Sequence, residues 1–258
     1  MRQLSFTDHG YQTPVDAVSF FGKLFPSFSF YMSFLTNIYV SSRKAKNGSY
    51  DDSDWSQSSY EVLKALERAG VKISISGIDH LQGLNSPCVI IGNHVSMMET
   101  VVLPAIISPV RRVTFVIKES LLAYPVFKHV MRSRNPVAVT RNNPRQDLNT
   151  VLNEGMKRLE QGISIIVFPQ TTRGTDFAPE QFSTIGVKLA KKAGVPVLPL
   201  ALKTDAWTNG NWIKDLGRIQ PTGKACFAFD APFMVQGKGR EEHQRVIDFI
   251  SHKLNEWK

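Results

Sequence analysis

From residue 71 onward the chain alternates short apolar runs with stretches of helical length, and this alternation constrains the fold more than any other feature. Strand-like runs occupy residues 71–76, 88–92, 113–117, 137–140, 163–168, 195–202 and 225–230. Helical patterns occupy 97–107, 147–161, 182–193 and 241–257, and a further one at 55–69 ends at Gly70, a residue suited to a helix C-terminus. Strands alternating with helices predict an α/β fold whose central sheet is largely parallel and flanked by helices. There is no internal repeat. A chain of 258 residues suits one sizeable domain with a small appendage.

The appendage is expected at the N-terminus. Residues 1–16 carry no cationic start or small-residue cleavage site of the kind that marks a signal peptide. Residues 17–40 are crowded with aromatic side chains, and at helical spacing Phe21, Leu24, Phe28, Tyr31, Leu35 and Ile38 form one stripe. Gly22, Pro26, Ser29, Ser33 and Thr36 fall elsewhere. A membrane-spanning helix needs about 20 largely apolar residues. Lys23, Pro26 and the serines interrupt this run, and Pro26 should break or kink a helix. The segment therefore reads as an amphipathic element lying on a membrane, with Arg43, Lys44 and Lys46 placed to meet anionic headgroups. A core helix with a ragged polar face and a single span are the other readings. Residues 41–54 look like a polar linker, so residues 1–45 are expected to form a membrane-associating segment and 46–258 the main domain.

Charge narrows the partners. The 31 Lys and Arg against 22 Asp and Glu leave a net charge of +9, which suits anionic lipid, phosphorylated cofactors, an acidic carrier protein or nucleic acid. No nucleic-acid module and no long basic block is present, so nucleic acid is not expected as a partner. The two cysteines, Cys88 and Cys226, lie far apart and outside any C-x-x-C. Neither a disulfide framework nor a zinc site is expected, and a reducing compartment is the default.

Ligands of open α/β sheets gather beyond the carboxyl ends of the strands, and three stretches of interest follow strands. After residues 88–92 comes Asn93-His94-Val95-Ser96-Met97-Met98-Glu99. A carboxylate at Glu99 can reach back to one imidazole nitrogen of His94 and leave the other to take a proton, near an unperturbed pKa of about 6.5. A packed or capping histidine would give the same spacing. After residues 163–168 comes Pro169-Gln170-Thr171-Thr172-Arg173-Gly174, where a guanidinium fork suits phosphate or carboxylate, and a solvated turn arginine is the plain alternative. Lys118 and Arg141 each follow another strand.

The order of these blocks resembles the lysophospholipid acyltransferase family and its bacterial 1-acylglycerol-3-phosphate acyltransferases. The resemblance rests on N-H-x-x-x-x-E at 93–99, then Lys118, Leu121, Pro125 and Arg141, then F-P-x-x-T-R at 168–173, then V-P-V-L-P at 195–199. It implies transfer of a fatty acyl group from acyl-CoA or acyl-carrier protein to a lysolipid hydroxyl, without an acyl-enzyme, metal or cofactor. His94 would be the base and Glu99 its partner. Arg173 would bind the acceptor phosphate, with Gln170 and Thr172 beside it and Lys118 and Arg141 on the same anion-binding surface. Such an enzyme would sit on the cytoplasmic face of a membrane, peripheral or monotopic.

This chain departs from the family pattern. The first acid is more often Asp, and the third block more often reads F-P-E-G-T-R, so Gln170 and Thr171 replace Glu and Gly. The first of these removes a negative charge beside Arg173. An acceptor other than 1-acyl-sn-glycerol-3-phosphate, and a non-catalytic membrane-binding relative, are therefore the alternatives within the fold. A hydrolase is the nearest enzymatic rival, but the chain contains no G-x-S-x-G, C-x-x-C or H-E-x-x-H, and no P-loop.

Overall fold

The computed structural model describes residues 2–8, 10–125, 127–170, 172–210 and 213–258. Their strands are β1 (Tyr11–Gln12), β2 (Lys72–Ser76), β3 (Val89–Gly92), β4 (Val113–Lys118), β5 (Val137–Val139), β6 (Ser164–Val167), β7 (Val197–Lys203) and β8 (Lys224–Phe229). They form one sheet in the order β1-β2-β8-β7-β3-β6-β4-β5. Pairing is antiparallel for β1 with β2 and for β7 with β8, and parallel elsewhere. The expected α/β fold with a largely parallel sheet is observed. The antiparallel β7–β8 pair arises where the connection contains a loop rather than a crossover helix, so the chain can return beside the strand it left.

Helices cover both faces. They are α1 (Phe20–Leu24), α2 (Pro26–Lys46), α3 (Asp52–Arg68), α4 (Ile78–Gln82), α5 (Met97–Ile107), α6 (Phe127–Ser133), α7 (Pro144–Glu160), α8 (Ile185–Ala193) and α9 (Arg240–Glu256). Successive strand side chains point to opposite faces. Ile90 and Ile166 accordingly join a core with α2, α3 and α5, whereas Val89, Ile91, Ile165 and Val167 join a second core with α7, α8 and α9. That is why these short strands are apolar throughout. At Gly186 a Cβ would lie 2.8 Å from Ile91 Cδ1, so glycine lets α8 approach β3 closely.

Several boundaries differ from expectation. Asp51 caps α3 reciprocally with Asp54 and starts that helix three residues earlier. Together with the extension of α2 to Lys46, this reduces the expected linker at 41–54 to residues 47–51. The short elements β1, α4 and α6 were too brief to show a period.

The N-terminal segment is two helices. Pro26 separates them as expected, ending α1 before Phe25 and occupying the first turn of α2. Of the expected stripe, Phe21, Leu24, Phe28 and Leu35 are about half exposed or more and Ile38 is buried; Phe30 and Phe34, outside that stripe, are buried as well. Phe30 and Phe34 stack on each other with centroids 5.2 Å apart and meet Trp207 edge-on at 4.8 and 5.0 Å. Thus α2 closes the core that also holds the sheet. Among the described residues no helix is long and apolar enough to cross a membrane.

Candidate active site

Because β7, β3, β6, β4 and β5 are mutually parallel neighbours, their carboxyl ends reach the same edge of the sheet. His94 follows β3, the 168–174 turn follows β6, Lys118 ends β4, Arg141 follows β5, and Thr204 follows β7. Residues separated by over a hundred positions therefore meet there.

The turn after β3 is fixed before any side chain turns to solvent. Buried Asn93 donates Nδ2–H to the Leu202 carbonyl and accepts the Leu202 N–H at Oδ1, both at 2.8 Å, which continues the β3–β7 ladder beyond the last strand residue. Ser96 then caps α5 as its Oγ accepts from Met98 N–H at 3.1 Å, while Glu99 receives the Ser96 N–H at 2.9 Å. Glu99 also accepts from Val95 N–H at 2.6 Å and from the Thr204 hydroxyl at 2.5 Å, and it lies 2.8 Å from His94 Nδ1. Burial alone would push its carboxyl up, but the hydrogen bonds from His94, Thr204 and the backbone outweigh burial and hold it below the usual glutamate value. Glu99 is thus a carboxylate, and the Nδ1 of His94 is the donor to it. The capping role and the histidine-orienting role fall on one residue.

His94 is less exposed than a strand exit suggested: its side chain retains 11% of its surface. Its ring stacks on Phe168 with centroids 4.6 Å apart and planes 5° from parallel. The turn after β6 wraps its backbone, with Gln170 Oε1 accepting the His94 N–H at 2.6 Å and Gly174 N–H donating to the His94 carbonyl at 3.1 Å. The Gln170 side-chain oxygen thus holds the histidine, and Gln170 is not among the residues that line the cavity. Thr172 is exposed and also lies off the cavity, and Thr171 falls outside the described residues.

The pocket that His94 faces measures about 620 Å³ counting the part open to solvent, and is walled by Lys118, Arg141 and Arg173 together with Asp215 and Tyr124. Arg141 sits at a left-handed position, φ 63°, where Asp147 accepts its N–H at 2.8 Å. Burial, and the charge of nearby Arg173, pull its guanidinium below the usual value. Arg173 Nη1 is 2.6 Å from Asp215 Oδ1. An anion therefore does stand beside Arg173, supplied by the loop after β7 instead of by position 170. Burial and the Asp215 carboxylate push the Tyr124 hydroxyl up. A second, mostly apolar cavity of about 570 Å³ runs between α2, α3 and α6, and shares Met97, Thr100, Phe115, Phe127 and Met131 with the first.

Sequence reasoning missed Asn93 as an anchor, Ser96, Phe168, Thr204 and Asp215. Ser96 had a readable signal, because S-x-x-E opens an apolar helix. Thr204 and Asp215 had none, since strand order alone brings them to His94.

The chain is similar to known acyltransferases. The family model described as acyltransferase matches residues 72–203, from β2 to the end of β7. The 1-acyl-sn-glycerol-3-phosphate acyltransferase of Pseudomonas aeruginosa is 32% identical over 194 residues, covering 73% of this chain and 71% of that protein. The chloroplastic enzyme BAT2 of Brassica napus, which carries the same activity name, is 29% identical over 152 residues, covering 59% of this chain and 40% of the plant protein. Among solved structures, PlsC from Thermotoga maritima, a 1-acyl-sn-glycerophosphate acyltransferase, aligns with TM-score 0.65 over 91% of this chain and 95% of that one. At 22% identity that likeness bears on the fold. With just over half of its residues matched by the family model, and a relative of this identity and coverage, the chain belongs to the acyltransferase family.

Proposed function

We propose that this chain transfers a fatty acyl group from a thioester, on CoA or acyl-carrier protein, to the hydroxyl of 1-acyl-sn-glycerol-3-phosphate, in phospholipid synthesis at a membrane. The observation that carries the reading is one cavity containing an imidazole backed by a buried carboxylate and walled by Lys118, Arg141 and Arg173. The basic wall suits a phosphate, and the adjoining apolar cavity suits an acyl chain. The names of the relatives point the same way.

In this mechanism Nδ1–H of His94 stays with Glu99, and Nε2 takes the proton of the acceptor hydroxyl as its oxygen attacks the thioester carbonyl. The tetrahedral adduct collapses, the C–S bond breaks, and the departing thiolate recovers the proton from the imidazolium. No bond forms to the protein, and no cofactor beyond the thioester co-substrate takes part. Arg173 and Arg141 grip the phosphate with Lys118 at the rim. Gln170 acts on the base through the peptide N–H of His94.

The exposed apolar side of α1 and α2, followed by Arg43 and Lys46, would rest on an anionic membrane surface at the cytoplasmic face. Residues 1–45 would then supply the membrane contact and 46–258 the chemistry.

The test is acyl transfer from a labelled thioester to lysophosphatidic acid and to uncharged monoacylglycerol, with His94→Ala beside the wild type. General-base catalysis contributes about 100-fold or more, so the variant should lose at least that factor in kcat at equal folded fraction. Near-normal turnover by the variant would refute the mechanism. Thioester consumed without an acylated lipid would identify a hydrolase, and no consumption a binding protein.

A further inference from the structure

Asp215 is not among the residues that the reaction requires, yet it faces the reacting cavity. It is carried by the loop after β7, and the two ends of that loop are anchored. Trp207 at its start is fully buried and donates Nε1–H to the Tyr31 hydroxyl at 3.1 Å, and the Tyr31 hydroxyl in turn donates to the Gly217 carbonyl. Thr208 N–H bonds to the Arg218 carbonyl at 3.0 Å, and Ile219 N–H to Ser27 Oγ at 3.1 Å. At Gly217 the backbones pass so closely that a Cβ would lie 1.6 Å from the Thr208 carbonyl oxygen. The carboxylate is therefore set in place by the fold, 2.6 Å from Arg173 Nη1, with 15% of its side chain exposed against 20% for the arginine.

A carboxylate at this position has a definite consequence for an anionic ligand. A phosphate approaching Arg173 finds Nη1 already engaged by Asp215 and meets a fixed negative charge beside the remaining N–H donors. The same charge partly cancels the combined field of Lys118, Arg141 and Arg173. We propose that Asp215 is a specificity residue which engages Arg173 at the wall of the cavity and sets the affinity for the acceptor's phosphate below what the three cations would give alone. Because acceptor and product carry a phosphate of the same kind, the carboxylate weakens the grip on both. Product release is then eased at the expense of acceptor affinity.

This proposal rests on the reading of Arg173 as the phosphate contact, and the experiment separates the two. Asp215→Asn keeps the shape and a hydrogen-bonding oxygen but removes the charge. KM for lysophosphatidic acid should fall about 3- to 10-fold, tenfold being about 1.4 kcal/mol, and inhibition by phosphatidic acid should tighten by a similar factor. KM for monoacylglycerol should not follow. Glycerol 3-phosphate, used as a soluble probe, should raise the thermal midpoint of Asp215→Asn more than that of the wild type, which gives a readout independent of turnover. Asp215→Ser serves the same comparison should the amide perturb the loop. If Arg173→Ala raises KM selectively for lysophosphatidic acid while both Asp215 variants raise it or leave it unchanged, Asp215 merely orients the guanidinium and the proposal is overturned. If Arg173→Ala affects charged and uncharged acceptors alike, it is the phosphate assignment itself that fails.

Discussion

His94 is held by Glu99 at Nδ1, Phe168 against the ring face, Gly174 at its carbonyl and Gln170 at the peptide N–H. The last contact makes position 170 testable at the scale of one atom. Glutamate, the residue more usual in the family pattern, also offers an acceptor oxygen there, whereas alanine leaves a part-buried N–H unpaired. An unsatisfied group of this kind costs about 1–3 kcal/mol, so the backbone of the base should shift to find a partner. Gln170→Ala is therefore expected to lose roughly tenfold or more in kcat with little change in KM for the acceptor, and Gln170→Glu to stay within a few-fold of wild type. Steady-state kinetics of the two variants decide it. Equal kcat for Gln170→Ala and wild type would mean that the contact is incidental. Arg173 belongs to the same scale. Hydrogen bonds to charged groups are worth about 1.5–3 kcal/mol, so Arg173→Ala should raise KM for lysophosphatidic acid at least several-fold. Arg173→Lys should recover part of that, because the point charge remains and the fork is lost.

Among elements, the junction of β3 and α5 bears most on the site. His94 and Glu99 were legible because five residues from a strand exit into a helix bring a carboxylate back to the ring. Their spatial relation to Lys118, Arg141 and Arg173 was legible through the parallel order of the strands. The contact of Gln170 with His94 was not legible, because sequence adjacency to Arg173 does not tell which way a side chain turns. The buried side of α2 was not legible, because that helix is apolar on two sides, with Phe30, Phe34 and Ile38 inward and Phe28, Met32 and Leu35 outward. The same junction carries a stability prediction. Glu99 accepts from donors on all sides, and Glu99→Gln places an amide N–H₂ against one or more of them, at a cost of about 1–3 kcal/mol. The folded carboxyl titrates below its unfolded value of about 4.3, so its contribution is complete above that pH and is lost as pH falls through the lower folded value. Urea unfolding should therefore separate wild type and Glu99→Gln clearly at pH 7, and the gap should narrow as the medium is taken below pH 4. A gap that does not depend on pH would show that the ionised carboxylate is not what stabilises the turn.

For the whole molecule, the question is what covers the outward side of α1 and α2. Phe20, Phe21, Leu24, Phe25, Phe28, Met32, Leu35, Tyr39 and Val40 are each 49% exposed or more, and the basic residues Arg43, Lys44 and Lys46 end the helix. Patches of this size and composition mark lipid or protein contacts. The inward side of α2 lines the apolar cavity through Phe34 and Ile38, and that cavity shares residues with the one at His94, so under the proposed function an acyl chain entering from a membrane at this patch would have a short apolar route to His94. Removing residues 1–45 is a poor test, because it would strip Phe30, Phe34 and Ile38 from the core and uncover Trp207. Substitutions confined to the outer side are cleaner. Phe21→Ser, Phe28→Ser and Leu35→Ser combined should abolish most sedimentation with phosphatidylglycerol vesicles while leaving the thermal midpoint close to that of wild type, since surface positions away from special features usually change stability by under about 0.5 kcal/mol each. Raising salt should weaken wild-type binding only in part, because charge interactions are screened over about 10 Å at 0.1 M and apolar contact is not. Turnover of lysophosphatidic acid dispersed in detergent should survive in the triple variant, and turnover of the same lipid embedded in vesicles should fall. Should the triple variant sediment as fully as the wild type, the outward side of these helices does not face lipid, and the proposed membrane contact through residues 1–45 is refuted.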